Sequence, residues 1–186
     1  MALEEYRRKR RFSDTPEPAG TPSPAAGGSF VVQMHSARRL HFDLRLEIEG
    51  TLKSWAVPKG PSQNPADKRL AVRTEDHPLQ YLTFEAVIPP GNYGAGPMMV
   101  WDAGAFEPEG KLSAAAQVAR GELKFRLRGR KLRGGFVLVK TKSEKEWLLL
   151  KHQDEWADSN WTIEPRNRSV LSLRTLEEID AGEPPP

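Results

Sequence analysis

Residues 41–49 decide the fold of this chain, and they read His-Phe-Asp-Leu-Arg-Leu-Glu-Ile-Glu. Polar and apolar side chains alternate along the stretch, which is the period of a β-strand that turns one face toward a core. Glu49-Gly50 is a typical hairpin turn, and it leads into a second run at residues 51–57 that Pro58 ends. The stretch therefore predicts an antiparallel hairpin with one polar and one apolar face.

Further short runs with strand character lie on both sides of this hairpin. They are residues 30–35, 70–74, 98–101, 122–128, 136–141 and 147–151. Two short helices are also indicated, at 113–120 behind a serine cap and at 175–178 with the spacing of a capping box. Many short strands with few helices predict a mainly β fold, either an antiparallel sandwich or a barrel.

The composition describes one globular domain. The 186 residues include 38% hydrophobic and 28% charged residues and no cysteine. The missing cysteines exclude disulfides, thiolate zinc sites and a cysteine nucleophile. The longest apolar runs are about four residues, far below the length of a membrane span, so no membrane association is expected.

The net charge of +3 conceals an uneven distribution. Residues 120–151 carry eleven basic and three acidic side chains, whereas residues 152–186 carry three basic and eight acidic ones. Such a basic block indicates a polyanionic partner, for example nucleic acid. A solvated strand face rich in lysine and arginine would give the same pattern, and charge alone does not separate the two interpretations.

The first 29 residues differ from the rest of the chain. Residues 1–11 are basic, and residues 13–29 contain four prolines, three glycines and no apolar side chain larger than alanine. A stretch of that kind has little to bury in return for its ordering entropy, so we expect an extended N-terminal arm. The predicted organisation is then an arm at 1–29, a β domain at 30–174, and a helix and tail at 175–186 that could equally begin a linker.

The candidate chemistry lies on the polar face of the first strand. His41, Asp43 and Arg45 project from that face, each about 6.5–7 Å from the next. Imidazole and carboxylate together suit a divalent ion such as manganese or zinc, and His35 on the neighbouring strand would complete a three-ligand site. Arg45 is then placed to clamp a phosphate, and His77 could protonate a leaving oxygen or hold a phosphate oxygen.

Beyond this cluster the chain carries distinctive blocks in a definite order. They are Tyr6-Arg-Arg-Lys-Arg10, Thr15-Pro-Glu-Pro18, the run from Phe30 to Glu47, Trp55-Ala-Val-Pro-Lys-Gly-Pro-Ser62, Arg69-Leu-Ala-Val72, Thr74-Glu-Asp-His-Pro78, Tyr93-Gly-Ala-Gly96, Trp101-Asp102 and Ser169-Val-Leu-Ser172. In these blocks the chain resembles the 3′-phosphoesterase module of bacterial DNA ligase D, which also occurs as a stand-alone protein.

This resemblance implies a compact antiparallel β-barrel flanked by short helices. It also implies a manganese (Mn²⁺)-dependent enzyme, with other divalent transition metals as alternatives, that removes a terminal ribonucleoside and then the remaining 3′-phosphate. The implied substrates are the 3′ ends of DNA or of RNA-tipped DNA primer–templates, which are thereby healed for ligation in double-strand-break repair by end joining. The implied partners are ligase and polymerase domains, in cis or in trans, and Ku. The implied setting is a monomer in a bacterial or archaeal cytoplasm, associated with the nucleoid.

The resemblance also assigns roles position by position. His35, His41 and Asp43 match the family's metal ligands, and Arg45 and His77 match its phosphate contacts, with Tyr81 close behind. Five further residues match supporting or substrate-contacting positions: Gln33, Arg10, Glu17, Lys59 and Arg69. Arg11 departs from the pattern, since an aspartate is customary there, and this leaves the balance between the diesterase and monoesterase steps open.

Other interpretations of the same residues stay open. The row of His41, Asp43 and Arg45 is also what a cross-strand ladder of salt bridges would contain. In that case the chain would be a non-catalytic barrel module that binds nucleic-acid ends. A phosphatase or cyclic phosphodiesterase for small nucleotides is a further alternative.

Overall fold

The computed structural model describes residues 3–21 and 27–186. The strands in this part of the chain are β1 (Ser29–Ser36), β2 (Leu40–Ile48), β3 (Thr51–Val57), β4 (Arg69–His77), β5 (Ala86–Ile88), β6 (Gly96–Pro108), β7 (Glu122–Arg128), β8 (Arg133–Lys140) and β9 (Glu146–Lys151). The helices are α1 (Glu4–Arg8), α2 (Ala114–Arg120) and α3 (Leu176–Asp180), together with a 3-10 helix at Leu79–Thr83.

The strands form one antiparallel sheet in the order β1-β2-β3-β4-β9-β8-β7-β6-β5. β1 also pairs with β6, which closes every strand except β5 into an eight-stranded barrel. β5 adds to the edge of β6 outside that ring. The predicted mainly β fold with a barrel architecture is confirmed.

The alternation in β2 is what aims its side chains. Leu44 and Leu46 are almost completely buried in the barrel core, as is Trp55 of β3. The polar row of β2 points away from that core, as the pattern predicts, but it does not lie open to water. Residues 42–48 are all buried, because other segments of the chain cover this second face.

Tyr81 and His77 contact Arg45 on this face, and the N-terminal segment packs against them in turn. Residues 3–21 of the predicted arm thus include α1 and several buried side chains. Tyr6 in α1 is fully buried, and its hydroxyl donates to the Pro18 carbonyl oxygen at 2.6 Å. Arg10 and Glu17 form a buried ion pair at 2.6 Å. One tyrosine and these charged side chains supply the contacts that the proline-rich composition lacks. Residues 1–2 and 22–26, also part of the predicted arm, lie outside the described residues.

Most of the predicted elements are present with small shifts at their ends. Ser113 caps α2 by accepting a hydrogen bond from the Ala116 amide, and Thr175 and Glu178 form the capping box of α3. The sequence did not indicate α1, β5 or the 3-10 helix, since each has too few residues to show a period. None of the helices in the described ranges is long and apolar enough to cross a membrane.

Glu85 attaches the C-terminal segment to the barrel. Its side chain is 3% exposed, and its carboxylate accepts from the Val100 amide at 2.8 Å and from the Ser169 hydroxyl at 2.5 Å. The Ser172 hydroxyl donates to the same carboxylate, and Arg174 pairs with it at 3.4 Å. This network explains the Ser-Val-Leu-Ser block, whose two hydroxyls meet on one buried acid.

Replacing Glu85 with alanine should lower the free energy of unfolding by about 3 kcal/mol, because a buried amide and a guanidinium lose their acceptor. Urea denaturation measures the change. Glu144→Ala is the matched control, since the Glu144 side chain is 89% exposed and, among the described residues, its one salt bridge is to Lys140; its effect should stay within about 0.5 kcal/mol. Equal losses in the two variants would contradict a structural role for Glu85.

Candidate active site

A cleft of about 890 Å³ opens on the face of β1–β4 that points away from the barrel core. Its floor carries His35 of β1 and alternate residues of β2, and its walls are the β1–β2 turn and the loop that precedes β6. The predicted site residues that line the cleft are Arg10, His35, His41, Asp43, Arg45, His77 and Tyr81. Residues far apart in the sequence therefore meet in one cavity.

The register of the first hairpin creates a cluster of ligand atoms. His35 lies directly opposite His41, and Asp43 lies on the same face two residues further along β2. One Asp43 carboxylate oxygen lies 3.7 Å from His35 Nδ1 and 3.2 Å from His41 Nε2. The three donor atoms all fall within 4.8 Å of one another.

Two backbone carbonyls orient the imidazole rings of this cluster. His35 Nε2 donates to the Gly94 oxygen at 2.7 Å, and His41 Nδ1 donates to the Arg39 oxygen at 3.0 Å. Each ring therefore turns its other nitrogen toward Asp43. Metal-binding histidines commonly use a carbonyl in this way, and two nitrogens with one carboxylate oxygen suit a divalent transition metal. The residues present fit the ion that the resemblance implies.

The charges of the cluster shift the pKa values of its own members. Burial opposes ionisation of Asp43, but the Arg45 charge and hydrogen bonds from both histidines outweigh it and hold the pKa of Asp43 well below its usual range. Burial also disfavours the charged form of His41, yet its hydrogen bond to Asp43 raises the pKa of His41. A bound cation would displace the proton that these two side chains share.

Arg45 places a buried positive charge directly beside the cluster. Its guanidinium donates to the Gln33 amide oxygen at 2.7 Å and lies 3.4 Å from the Asp43 carboxylate. The ring of Tyr81 packs against it at 4.9 Å from the ring centroid. Because Arg45 is only 2% exposed, its guanidinium group is held in one orientation.

Arg10 brings a second guanidinium to the cleft from the N-terminal segment. It pairs with Glu17 at 2.6 Å and with Glu75 at 3.3 Å. Glu17 also accepts the Tyr81 hydroxyl at 2.6 Å, so the two cleft residues share one buried acid. The N-terminal segment therefore forms part of the site.

His77 lies between the two arginines and is neutral in the free protein. Its Nδ1 lies 2.9 Å from the Glu75 carbonyl oxygen and 3.1 Å from the Arg45 guanidinium, and its Nε2 lies 3.4 Å from the Arg10 guanidinium. Burial, together with the charges of Arg45 and Arg10, sets the pKa of His77 well below its ordinary value. A neutral ring favours the predicted role of holding a phosphate oxygen over that of a proton donor.

The pKa of His41 should therefore lie above the ordinary value of 6.5, and the pKa of His77 below it. Without added metal at that pH, we expect His41 to carry protons on both nitrogens and His77 on only one of them. Long-range ¹H–¹⁵N NMR correlation spectra distinguish these forms, and the variants His41→Gln and His77→Gln assign the signals. A doubly protonated His77 at this pH would contradict the structure.

Four predicted residues lie outside the cleft lining. Gln33 is completely buried behind Arg45, and Glu17 lies behind Arg10 and Tyr81, so both are placed to orient cleft residues and not to touch substrate. Lys59 is exposed just beyond Pro58, which lines the rim. Arg69 donates to the Gly60 carbonyl oxygen and pairs with Asp67.

Several cleft residues escaped the sequence analysis. Glu75 forms ion pairs with Lys9 and Arg10. The adjacent Asp76 forms its ion pairs with Lys53 and Arg73. The sequence indicated that these two carboxylates diverge but did not show that Glu75 joins the site. Tyr93 also lines the cleft, and an aromatic residue inside a Gly/Pro-rich turn was the available signal.

The three donor atoms lie next to a buried guanidinium, and Asp43 contacts both groups. A cation held by the donor atoms and the guanidinium would together neutralise the negative oxygens of a phosphate ester. The barrel thus carries a cleft suited to phosphate esters.

Comparison with known proteins specifies the family. The family model described as the DNA Ligase D 3′-phosphoesterase domain matches residues 33–140. The chain belongs to this family, as the resemblance of its motifs indicates.

Similar proteins are much longer than this chain. It is 49% identical over 183 residues to the multifunctional non-homologous end joining protein LigD of Pseudomonas aeruginosa. The matched region covers 94% of this chain and 22% of that protein. It is 45% identical over 160 residues to the protein of the same name from Mycolicibacterium smegmatis, covering 82% and 21%. The LigD of Mycobacterium tuberculosis, a multifunctional non-homologous end joining DNA repair protein, is 44% identical over 157 residues, covering 82% and 20%. The chain spans about a fifth of these curated relatives.

Proposed function

We propose that this chain is a metal-dependent phosphoesterase that heals DNA 3′ ends for ligation. It would remove a terminal ribonucleoside to leave a 3′-phosphate, and then hydrolyse that phosphate to a 3′-hydroxyl. The observation that carries the proposal is the contact of Asp43 with both the histidine pair and Arg45. A phosphate bound at Arg45 lies beside the place where His35 and His41 converge.

His35, His41 and Asp43 would hold the ion, for which we propose manganese. When bound, the ion supplies Lewis-acid activation of the phosphate and a source of nucleophile. The chain's own side chains bind and orient the substrate. Arg45 and Arg10 neutralise charge on the phosphate oxygens. This electrostatic stabilisation is strongest where water is excluded.

His77 and Tyr81 complete the anion pocket. The Glu75 carbonyl and the Arg45 guanidinium lie beside Nδ1 of His77, and its Nε2 is directed toward the Arg10 side of the cleft. The Tyr81 hydroxyl is engaged by Glu17, so its ring supports Arg45 and His77 from one side. A single pocket of this kind can accept a diester first and a monoester afterwards. Arg11 is exposed, and the ratio of the two rates measures what this departure from the family pattern does.

The proposed substrates are the 3′ ends of DNA and of RNA-tipped primer–templates. By analogy with the multifunctional end-joining relatives, we propose that the domain acts together with ligase and polymerase domains, in cis or in trans, and with Ku. We further propose a monomeric unit that works at the nucleoid in the cytoplasm of a bacterium or archaeon.

The basic block is proposed to contact the strand at a distance from the reaction. Lys124, Arg126 and Arg128 alternate with buried side chains along β7, which confirms one charged face. Two of the three pair with acids, Lys124 with Glu122 at 3.5 Å and Arg128 with Glu107 at 3.0 Å. The alternative of a solvated face therefore has structural support.

Changing these three residues to glutamine tests the assignment. If all three contact a duplex, the negative slope of log binding constant against log salt should become less steep by about 2.7. Electrophoretic or anisotropy titrations at several salt concentrations measure the slope. An unchanged slope would identify a solvated face with no role in binding.

Phosphate release from a 3′-phosphorylated primer–template tests the proposed function. With manganese the wild-type chain should release phosphate and convert the 3′ end to a hydroxyl, and a chelator should abolish release. Tight binding without release would identify a non-catalytic end-binding module. Faster turnover of mononucleotides or cyclic nucleotides than of primer–templates would identify a small-nucleotide enzyme.

A further inference from the structure

Two loops line the cleft, and each contacts one histidine of the donor cluster. The Arg39 carbonyl in the β1–β2 turn accepts from His41, and the Gly94 carbonyl in the loop before β6 accepts from His35. A side chain on Gly94 would lie 3.3 Å from the His35 ring, so this loop packs closely on it. The positions of both walls relative to the reacting centre are therefore set by direct contacts.

One wall presents an aromatic ring to the cleft. Tyr93 lines the cavity and keeps 50% of its surface exposed. The Lys9 ammonium lies 4.9 Å and the Arg10 guanidinium 5.3 Å from the ring centroid. Asn92 secures the turn by donating to the Asp14 carbonyl at 3.3 Å and to the Pro89 carbonyl at 3.2 Å. Tyr93 is thus a supported ring with free surface beside the anion pocket.

The other wall presents two adjacent arginines. Arg38 and Arg39 are exposed at the tip of the hairpin, and both line the cleft. Neither forms an ion pair with any residue in the part of the chain that the structure describes. The rim of the cleft therefore combines an aromatic ring with positive charge that no described acidic residue neutralises.

We propose that this combination is a nucleotide-binding subsite at the rim of the cleft. The ring of Tyr93 stacks on the base of the nucleotide whose 3′-phosphate occupies the pocket of Arg45 and Arg10. Arg38 and Arg39 hold the backbone phosphates that precede that nucleotide. Aromatic platforms combined with a basic groove bind single strands of any sequence, because every base has a stacking face. The inference rests on the proposed function and specifies which part of a nucleic-acid strand the site grips.

The stacking is tested with a single-stranded oligonucleotide that carries 2-aminopurine at its 3′ end together with a 3′-phosphate. A chelator prevents turnover, and stacking on an aromatic ring quenches the fluorescence. We expect quenching by the wild type and by Tyr93→Phe, whereas Tyr93→Leu should lose the quenching and bind about tenfold more weakly. A probe with 2-aminopurine far upstream of the 3′ end is the control and should not respond. Equal quenching by Tyr93→Leu, or binding without quenching by the wild type, would overturn the proposal.

The phosphate contacts are tested by single charge-neutral variants. Arg38→Gln and Arg39→Gln should each make the negative slope of log binding constant against log salt less steep by about 0.7 for a single strand. Lys111→Gln removes the same charge at an exposed position outside the cleft and should leave the slope unchanged. Slopes that match this control would overturn the role of the hairpin tip.

The subsite and the proposed function fail in distinguishable ways. Phosphate release by the wild type without quenching of the 3′ probe rejects the subsite and leaves the phosphoesterase intact. Quenching that depends on Tyr93 without any release in manganese rejects the phosphoesterase and supports a strand-binding cleft.

Discussion

Asp43→Asn should reduce phosphate release at least about 100-fold and weaken metal binding by a similar factor. The reason is that one carboxylate oxygen of Asp43 faces His35, His41 and Arg45 together. An amide retains the shape of the side chain but removes the charge that attracts a cation. Manganese titration by calorimetry and a phosphate-release assay measure the two effects.

The isosteric change is needed because Asp43 is only 5% exposed. Although the strand pattern suggests an open polar face where alanine would be harmless, Asp43→Ala would leave a cavity beside the buried Arg45. Asp76→Asn is the matched control, since Asp76 pairs with Lys53 and Arg73 and does not line the cleft. It should retain wild-type turnover. A folded Asp43→Asn protein with normal metal affinity and turnover would reject the metal assignment.

Arg45→Lys should lower kcat by about 100- to 1,000-fold while preserving the positive charge. A lysine ammonium is a point charge, whereas the guanidinium of Arg45 reaches the Gln33 oxygen and the Asp43 carboxylate at once. The loss should appear mainly in kcat, because the fork neutralises charge that grows in the transition state. Steady-state kinetics on a 3′-phosphorylated primer separate kcat from KM.

Arg73→Lys is the control for this change. Arg73 lies on β4, packs over the Trp55 ring at 4.7 Å and pairs with Asp76 outside the cleft. It should leave kcat unaltered. If Arg45→Lys turned over as fast as Arg73→Lys, then charge alone would suffice and the fork geometry would have no role in the reaction.

The sequence was informative wherever the determining interaction is local. The alternation of residues 41–49 predicted the strand, its core face and the polar row that carries Asp43 and Arg45. The hairpin signal at Glu49-Gly50 predicted the neighbouring strand, and the caps at Ser113 and Thr175 marked two helices. These features depend on side chains within a few positions of one another, so a single chain is enough to predict them.

The supporting residues of the site could not be predicted in the same way. Gln33 orients Arg45 across the β1–β2 pairing, while Glu17 joins Arg10 to Tyr81 from a segment 64 residues away from that tyrosine. A proline-rich stretch has no period that would reveal a packed conformation. Its burial depends on the cleft that it covers, and that cleft exists only after the barrel closes.

By itself, then, the sequence of this protein determined a β fold, a strand with a donor row and, through its motifs, the family. The tertiary structure decided that the donor row is buried, that the N-terminal segment delivers Arg10, and that His77 is neutral between two guanidinium groups. It also decided that Tyr93 and the Arg38–Arg39 turn line the same cleft as the donor cluster. The physical reason is that periodicity and caps reflect contacts between near neighbours in the chain. Burial, pKa and the shape of a cleft depend on charges and surfaces that only the closed barrel brings together.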